Sequence, residues 1–301
     1  MRSIRKLLTI TAIVATTSLP TVAEAQQAAA DSMIVTTQWL AAHVSDPKVV
    51  IVAIERAAGD TVDRIPGARI LLYSQLAVKR GELTTELPSA DSLKALFESL
   101  GITNDSRVVV YATIAAPMAT RFLMTLDFLG HRKFSYLDGG MPKWKREGRA
   151  VVRTEAPALR TSYTPRPRAD MIVDADWIVG RLGKPGTAFI DTRTVGEYNG
   201  SGNRSGMPSA GHLQGAQQLE WEWLFREDNP LQLKDRVELQ KLYDDRAKAG
   251  DTVVTYCWIG YRASATYFVA RALGRDAKFY DGSYQDWQLR KLPTVAGEKP
   301  Q

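Results

Sequence analysis

The chain has 301 residues, 45% hydrophobic and 24% charged, with a formal charge of +6. That length and composition suit two ordinary globular domains. Basic residues alternate with acidic ones and form no block interleaved with aromatics, which argues against nucleic acid as a partner. A single cysteine, Cys257, excludes an internal disulfide and a cysteine-rich metal site. His43, His131 and His212 show no ligand spacing, so neither metal nor cofactor is expected.

Residues 1–25 carry a basic start (Arg2, Arg5, Lys6), an apolar run from Leu7 to Leu19, and Ala23-Glu24-Ala25, a small-x-small cleavage site. They read as a secretory signal peptide, with the mature chain beginning near Gln26. The apolar run is too short to span a bilayer comfortably, so no stable membrane insertion is expected after cleavage. The expected location is periplasmic or secreted. Losing three basic residues and one acidic residue takes the formal charge from +6 to +4. A mild positive field of that size helps to collect anionic substrates. In an oxidising compartment Cys257 stays free for chemistry or for pairing with another molecule.

Beyond the leader the chain repeats itself. Met33–Leu40 returns as Met171–Ile178, a short strand followed by a Thr or Asp helix cap. Ile65-Pro66-Gly67-Ala68 returns as Leu213-Gln214-Gly215-Ala216, and Val109–Ala112 as Val254–Cys257. Asp138–Trp144 returns as Asp281–Trp287. The period is a whole domain, too long for a solenoid unit. Pro157, Pro165 and Pro167 make residues 153–170 an extended linker between a first domain, 31–152, and a second, 171–301. In each half, buried strands (Val49–Ile54, Val108–Tyr111, Phe189–Ile190, Val253–Tyr256) alternate with helices (Leu93–Leu100, Leu239–Ala247). Ala265, Phe268, Val269, Ala272 and Leu273 share one helical face after the cysteine. Alternation of this kind predicts an α/β fold, each domain a mostly parallel sheet flanked by helices, with ligands at the carboxyl ends of the strands. Cys257 falls at such an end.

Tyr256-Cys257-Trp258-Ile259-Gly260-Tyr261-Arg262 is the most informative stretch. In isolation a lone cysteine is most often a small core residue. Here it sits at a strand-to-helix turn, where helix amides and the helix dipole favour an anion. Arg262 adds positive charge at the rim, and Gly260 lets the backbone curl. Both effects favour the thiolate, which is the nucleophile.

At these residues the chain resembles the rhodanese family of sulfurtransferases, whose active loop has the length of Cys257 to Arg262. Asp191-Thr192-Arg193 with Glu197-Tyr198, Gly211-His212-Leu213-Gln214-Gly215-Ala216, and Tyr280–Trp287 resemble three further family motifs in the same order. The resemblance implies two tandem rhodanese-like domains, the first without a nucleophile. Ala112 stands where the second domain has Cys257, and no Gly or Arg follows it at the matching places. It also implies transfer of a sulfane sulfur through a Cys257 persulfide. The donor would be thiosulfate or 3-mercaptopyruvate, and the acceptor cyanide, a thiol or a protein.

On this reading Arg262 steadies the thiolate and orients an anionic donor. Arg193 is a second anion-binding candidate, weighed evenly against an ion pair with Asp191 or Glu197. Trp258, Ile259, Gly260 and Tyr261 line the site, with Trp258 and Tyr261 either an aromatic wall or packing against the first domain. Asp191, Glu197 and His212 are read as loop-fixing, Asp281 and Trp287 as anchors of the last turn, and Trp221–Phe225 as interdomain packing. Trp258 and Ile259 match neither the basic loops of thiosulfate-specific relatives nor the small ones of mercaptopyruvate-specific relatives. An inserted Gly/Ser/Asn-rich segment, 199–210, lies near the active edge. A persulfide carrier or binding module is the alternative. Phosphatase or arsenate reductase chemistry is disfavoured, because five residues separate Cys and Arg there and four do here. The whole reading requires a reachable sulfur with Arg262 and loop amides around it.

Overall fold

A computed structural model describes residues 33–57, 63–157, 159–202 and 211–299. The signal-peptide reading and residues 203–210 of the inserted segment lie outside the described residues.

The first domain contains β1 (Ile34–Val35), α1 (Thr37–His43), β2 (Val49–Glu55), β3 (Ala68–Leu72), β4 (Val78–Arg80), β5 (Leu83–Glu86), α2 (Ala90–Ser99), β6 (Arg107–Ala112), α3 (Ala116–Phe128), β7 (Phe134–Leu137) and α4 (Gly140–Arg146). The second repeats the plan with β8 (Ile172–Val173), α5 (Ala175–Val179), β9 (Thr187–Asp191), α6 (Val195–Asn199), β10 (Gln217–Gln218), β11 (Phe225–Arg226), β12 (Asn229–Leu233), α7 (Arg236–Asp244), β13 (Thr252–Tyr256), α8 (Ala263–Ala272), β14 (Ala277–Tyr280) and α9 (Ser283–Leu289). Short 3-10 turns at Tyr73–Leu76 and Trp221–Leu224 precede the hairpins β4–β5 and β11–β12.

Each domain has a five-stranded sheet, ordered β1-β7-β6-β2-β3 and β8-β14-β13-β9-β10. Every pairing in both is parallel. Val50–Glu55 and Val108–Ala112 are buried without interruption, as parallel strands covered on both faces must be. The α/β expectation therefore holds.

Side chains cap the helices where the sequence suggests. Thr36 and Asp174 accept the amides of Trp39 and Trp177, and Ser89 and Asp235 those of Ser92 and Glu238. One apolar cluster covers the outer face of each sheet, and a third runs through both domains. That shared core is centred on α3 and α8, the helices following Ala112 and Cys257, which pack against each other. Both helices are buried nearly all round.

The hairpins cross over reciprocally. The Leu87 amide, just past β5, donates to Asp281 Oδ2 at 2.6 Å. The Leu233 amide, ending β12, donates to Asp138 Oδ1 at 2.9 Å. Each domain thus seats its hairpin on the aspartate turn of the other.

Candidate functional site

Cys257 follows β13 directly, and α8 begins six residues later at Ala263. The register brings Tyr256 beside Asp191 of β9, so Cys257 and Thr192–Arg193 leave the sheet at the same edge. The turn between is pinned from below by the start of α9. The amides of Tyr284 and Gln285 donate to the carbonyls of Cys257 (3.0 Å) and Trp258 (2.9 Å). The Cys257 amide donates to Ser283 Oγ at 3.3 Å, and that hydroxyl donates to Tyr280 O at 2.8 Å. Ser283 adopts φ +53°, a left-handed conformation that holds its hydroxyl under the cysteine. Gly260 has φ +76°, and a Cβ there would meet Asp281 O at 2.9 Å. Among the described residues, the amides of Trp258, Ile259 and Gly260 donate to no backbone carbonyl.

The first domain closes the turn from above. Arg121 of α3 donates through Nη1 to Asp281 Oδ1 (2.8 Å) and Gly260 O (3.4 Å), and through Nη2 to Thr85 O (2.8 Å). Thr85 Oγ1 donates to Ile259 O. Tyr73 meets Tyr261 edge-on, ring centroids 5.0 Å apart.

Arg262 departs from the expected open fork, and Arg193 takes one of its two expected roles. Both are buried, and both are committed to carboxylates. Arg262 forks onto Glu197, with Nη1–Oε2 at 2.7 Å and Nη2–Oε1 at 2.8 Å. It reaches Cys257 through its charge, not as an open anion fork. Burial works against that guanidinium; the Glu197 hydrogen bonds and the charges of Cys257 and Glu197 outweigh it and raise its pKa. Glu197 shows the reciprocal effect. Burial opposes its ionisation, yet Arg262 and Thr194 hold its carboxyl down to about 2. Arg193 is wholly buried, hydrogen-bonded to Asp191 (Nη2–Oδ2 2.6 Å) and to Gly211 O (2.7 Å), with its guanidinium 3.8 Å from the Tyr284 ring. Of its two weighed roles, the ion pair with Asp191 is the one formed here.

The aromatic residues divide. Trp258 tilts onto Tyr284 at 5.2 Å and packs with the second domain's own cluster, whereas Tyr261 packs on the first domain. Trp258, Ile259 and Tyr261 keep partial exposure, and Gly260 is buried. Cys257 itself has 0% exposure. A donor reaches the sulfur only when side chains over it move, so the requirement of a reachable thiol is not met in this conformation. An interdomain cleft of 560 Å³ is lined by Leu87, Asp281 and Gly282 among others, and Cys257 is not one of its lining residues.

His212 stacks on Tyr198 at 3.8 Å and pairs Nδ1 with Tyr198 O at 2.9 Å, while burial lowers its pKa. Trp287 donates to Pro293 O at 2.9 Å and is wholly buried. Leu224 and Phe225 enter the core shared by both domains, with Trp221 and Trp223 packed against it. Sequence reasoning missed Tyr73, Thr85, Arg121 and Ser283. Arg121 left a trace, a lone cation in the apolar run Ala115–Phe128.

The Rhodanese-like domain family matches residues 36–147 and 174–290, one copy on each sheet. The chain belongs to the rhodanese family of sulfurtransferases. It is 32% identical to the thiosulfate sulfurtransferase of Pseudomonas aeruginosa, over 82% of this chain and 91% of that protein. It is 29% identical to the probable 3-mercaptopyruvate sulfurtransferase of the same organism, over 85% and 95%. The solved structure of YnjE superposes with TM-score 0.79 at 22% identity, covering 89% of this chain and 69% of that one, a likeness of fold.

Proposed function

We propose that this rhodanese is an exported thiosulfate sulfurtransferase that carries sulfur as a persulfide on Cys257. The observation that carries the reading is the chain's sole cysteine at the carboxyl end of a central parallel strand, in a glycine-bearing turn held on both sides. The thiolate attacks the outer sulfur of thiosulfate. The S–S bond breaks, its electron pair leaves with sulfite, and the persulfide anion remains. Cyanide or a thiolate then takes the terminal sulfur and restores the thiolate. With 3-mercaptopyruvate the C–S bond breaks instead, and the thiol proton leaves with pyruvate. The amides of Trp258, Ile259 and Gly260 stabilise the persulfide as an oxyanion hole stabilises oxygen. The first domain, with Ala112 in place of a nucleophile, is catalytically silent. The signal-peptide pattern of residues 1–25 supports export.

The engagement of Arg262 with Glu197 speaks against phosphatase or arsenate reductase chemistry, which needs an arginine fork open to a tetrahedral oxyanion. The test is intact-mass analysis of the mature protein after thiosulfate and, separately, 3-mercaptopyruvate. A gain of one sulfur that cyanide removes as thiocyanate is expected, and Cys257→Ser abolishes it. Undiminished thiocyanate formation by the serine variant refutes the assignment of the nucleophile. A persulfide that forms but resists every small acceptor points to a carrier serving a protein partner.

A further inference from the structure

Among the described residues, two hydrogen-bond donors that the first domain brings to the Cys257 turn have no acceptor. Tyr73 lies in the 3-10 turn after β3, with its ring edge-on to Tyr261, four residues past the cysteine. Its Oη is buried and, among the described residues, hydrogen-bonds to nothing. Arg121 is 0% exposed; its Nη atoms are spent on Asp281, Gly260 and Thr85, and its Nε is also buried without a partner among the described residues. The two belong to one small cluster. The charges felt by the Tyr73 phenol are those of Arg121, Cys257 and Asp281, and burial pushes its hydroxyl up to about 12. It is therefore a protonated donor at neutral pH.

Buried polar groups are nearly always satisfied, because an orphaned donor forfeits its hydration for nothing. Two orphans on the first-domain side of the Cys257 turn, one of them within electrostatic reach of the thiol, mark a place where an acceptor comes and goes.

We infer that Tyr73 Oη–H and Arg121 Nε–H are donor-binding groups, supplied by the first domain, that hold the anionic oxygens of the sulfur donor while its terminal sulfur meets Cys257. The inference rests on the sulfur-transfer reading above and adds to it the groups that recognise the donor. The oxygens belong to a sulfonate in thiosulfate or to a carboxylate in mercaptopyruvate. When the S–S bond of thiosulfate breaks, the departing electron pair raises the charge on the sulfite oxygens. The two donors then bind more strongly in the transition state than before it. Discharge of the persulfide by cyanide involves no such oxygens and makes no use of them.

Tyr73→Phe tests this, since it removes only the orphaned hydroxyl. Persulfide loading is followed by quenched intact mass with thiosulfate and with mercaptopyruvate, discharge by cyanide on preloaded protein, and stability by thermal melting. Loading is expected to slow about tenfold to a hundredfold, the worth of a hydrogen bond to a charged group. Discharge stays at the wild-type rate, and the melting midpoint is equal or higher. The donor showing the larger loss is the one whose oxygens are held. Arg121→Lys keeps a cation near Asp281 and removes the Nε hydrogen; it is expected to slow loading more than discharge, with a lowered melting midpoint from its lost bonds to Gly260 and Thr85. Wild-type loading by Tyr73→Phe overturns the inference alone. So does equal slowing of loading and discharge by that phenylalanine variant, or a lowering of its melting midpoint, since these mark a packing role. Failure of the wild-type protein to take sulfur from either donor overturns the sulfur-transfer reading along with it.

Discussion

Replacing Glu197 with glutamine exposes how the Cys257 turn keeps its charge in place. Glu197 is 2% exposed and takes both prongs of Arg262, at 2.7 and 2.8 Å. Its carboxyl falls from the ordinary 4.5 to about 2. A depressed acid contributes stability that is fully present above its unfolded pKa and is lost as pH falls through the folded one. At about 1.36 kcal/mol per pKa unit, the ionised Glu197 contributes about 3 kcal/mol at pH 7. By linkage that falls to about 2 kcal/mol near pH 3.5 and vanishes below pH 2. Glutamine keeps the shape and loses the charge, leaving Arg262 buried without a counter-ion, for which losses of about 3–5 kcal/mol are typical. Urea unfolding of both proteins between pH 7 and pH 3.5 measures the difference directly. The expected gap is about 3 kcal/mol at neutral pH and narrows on acidification. A gap below about 0.5 kcal/mol, the size of an ordinary surface substitution, or one that stays constant with pH, refutes the reasoning.

Two further substitutions probe the same turn and its duplicate. Gly260→Ala forces a Cβ against Asp281 O at 2.9 Å with φ at +76°, and is expected to cost about 1–3 kcal/mol and to slow sulfur loading, read by thermal melting and intact mass. Ala112→Cys puts a thiol on the first domain, but no glycine or arginine follows at the matching places, and Leu231 of the crossing hairpin packs against Gly140 beside the Ala112 carbonyl. It is expected to gain no second sulfur with thiosulfate, and a gain of two sulfurs in the mass spectrum contradicts the silence of that domain.

The sheets were legible because their strands are runs of β-branched residues buried on both faces. Val49–Ile54 and Val253–Tyr256 are found within a residue of their expected ends. The hairpins were not. Val78–Arg80 and Leu83–Glu86 are mostly polar and owe their form to the other domain, to which Thr84 and Thr85 hydrogen-bond. The cysteine and the glycine of its turn could be read from spacing alone. The fate of the arginines could not. Glu197 is 65 residues from Arg262, and only the packing of α6 against the turn decides that their charges meet. Arg193 was balanced between two roles because its neighbour Asp191 is visible at a spacing of two, while the acceptor that completes its burial, Gly211 O, is 18 residues away.

The first domain contributes more than a surface to lean on. Thr85 holds Ile259 O, Leu87 holds one oxygen of Asp281, and Arg121 holds the other together with Gly260 O. Without them, two carbonyls of the turn and the carboxylate beneath it lose buried partners, and α8 loses the apolar face of α3 against which it packs. Each loss is of a kind that folded proteins rarely tolerate. The exchange also runs in the other direction, through the Leu233 amide on Asp138 and the Leu231 carbonyl, which takes the Gly139 amide and the Tyr136 hydroxyl. The domain with Ala112 at the place of the cysteine thus has a physical role at the Cys257 turn. The shape of the Cys257 turn is specified by contacts that only the partner domain makes, so the two halves fold as one unit rather than as a site with an appendage.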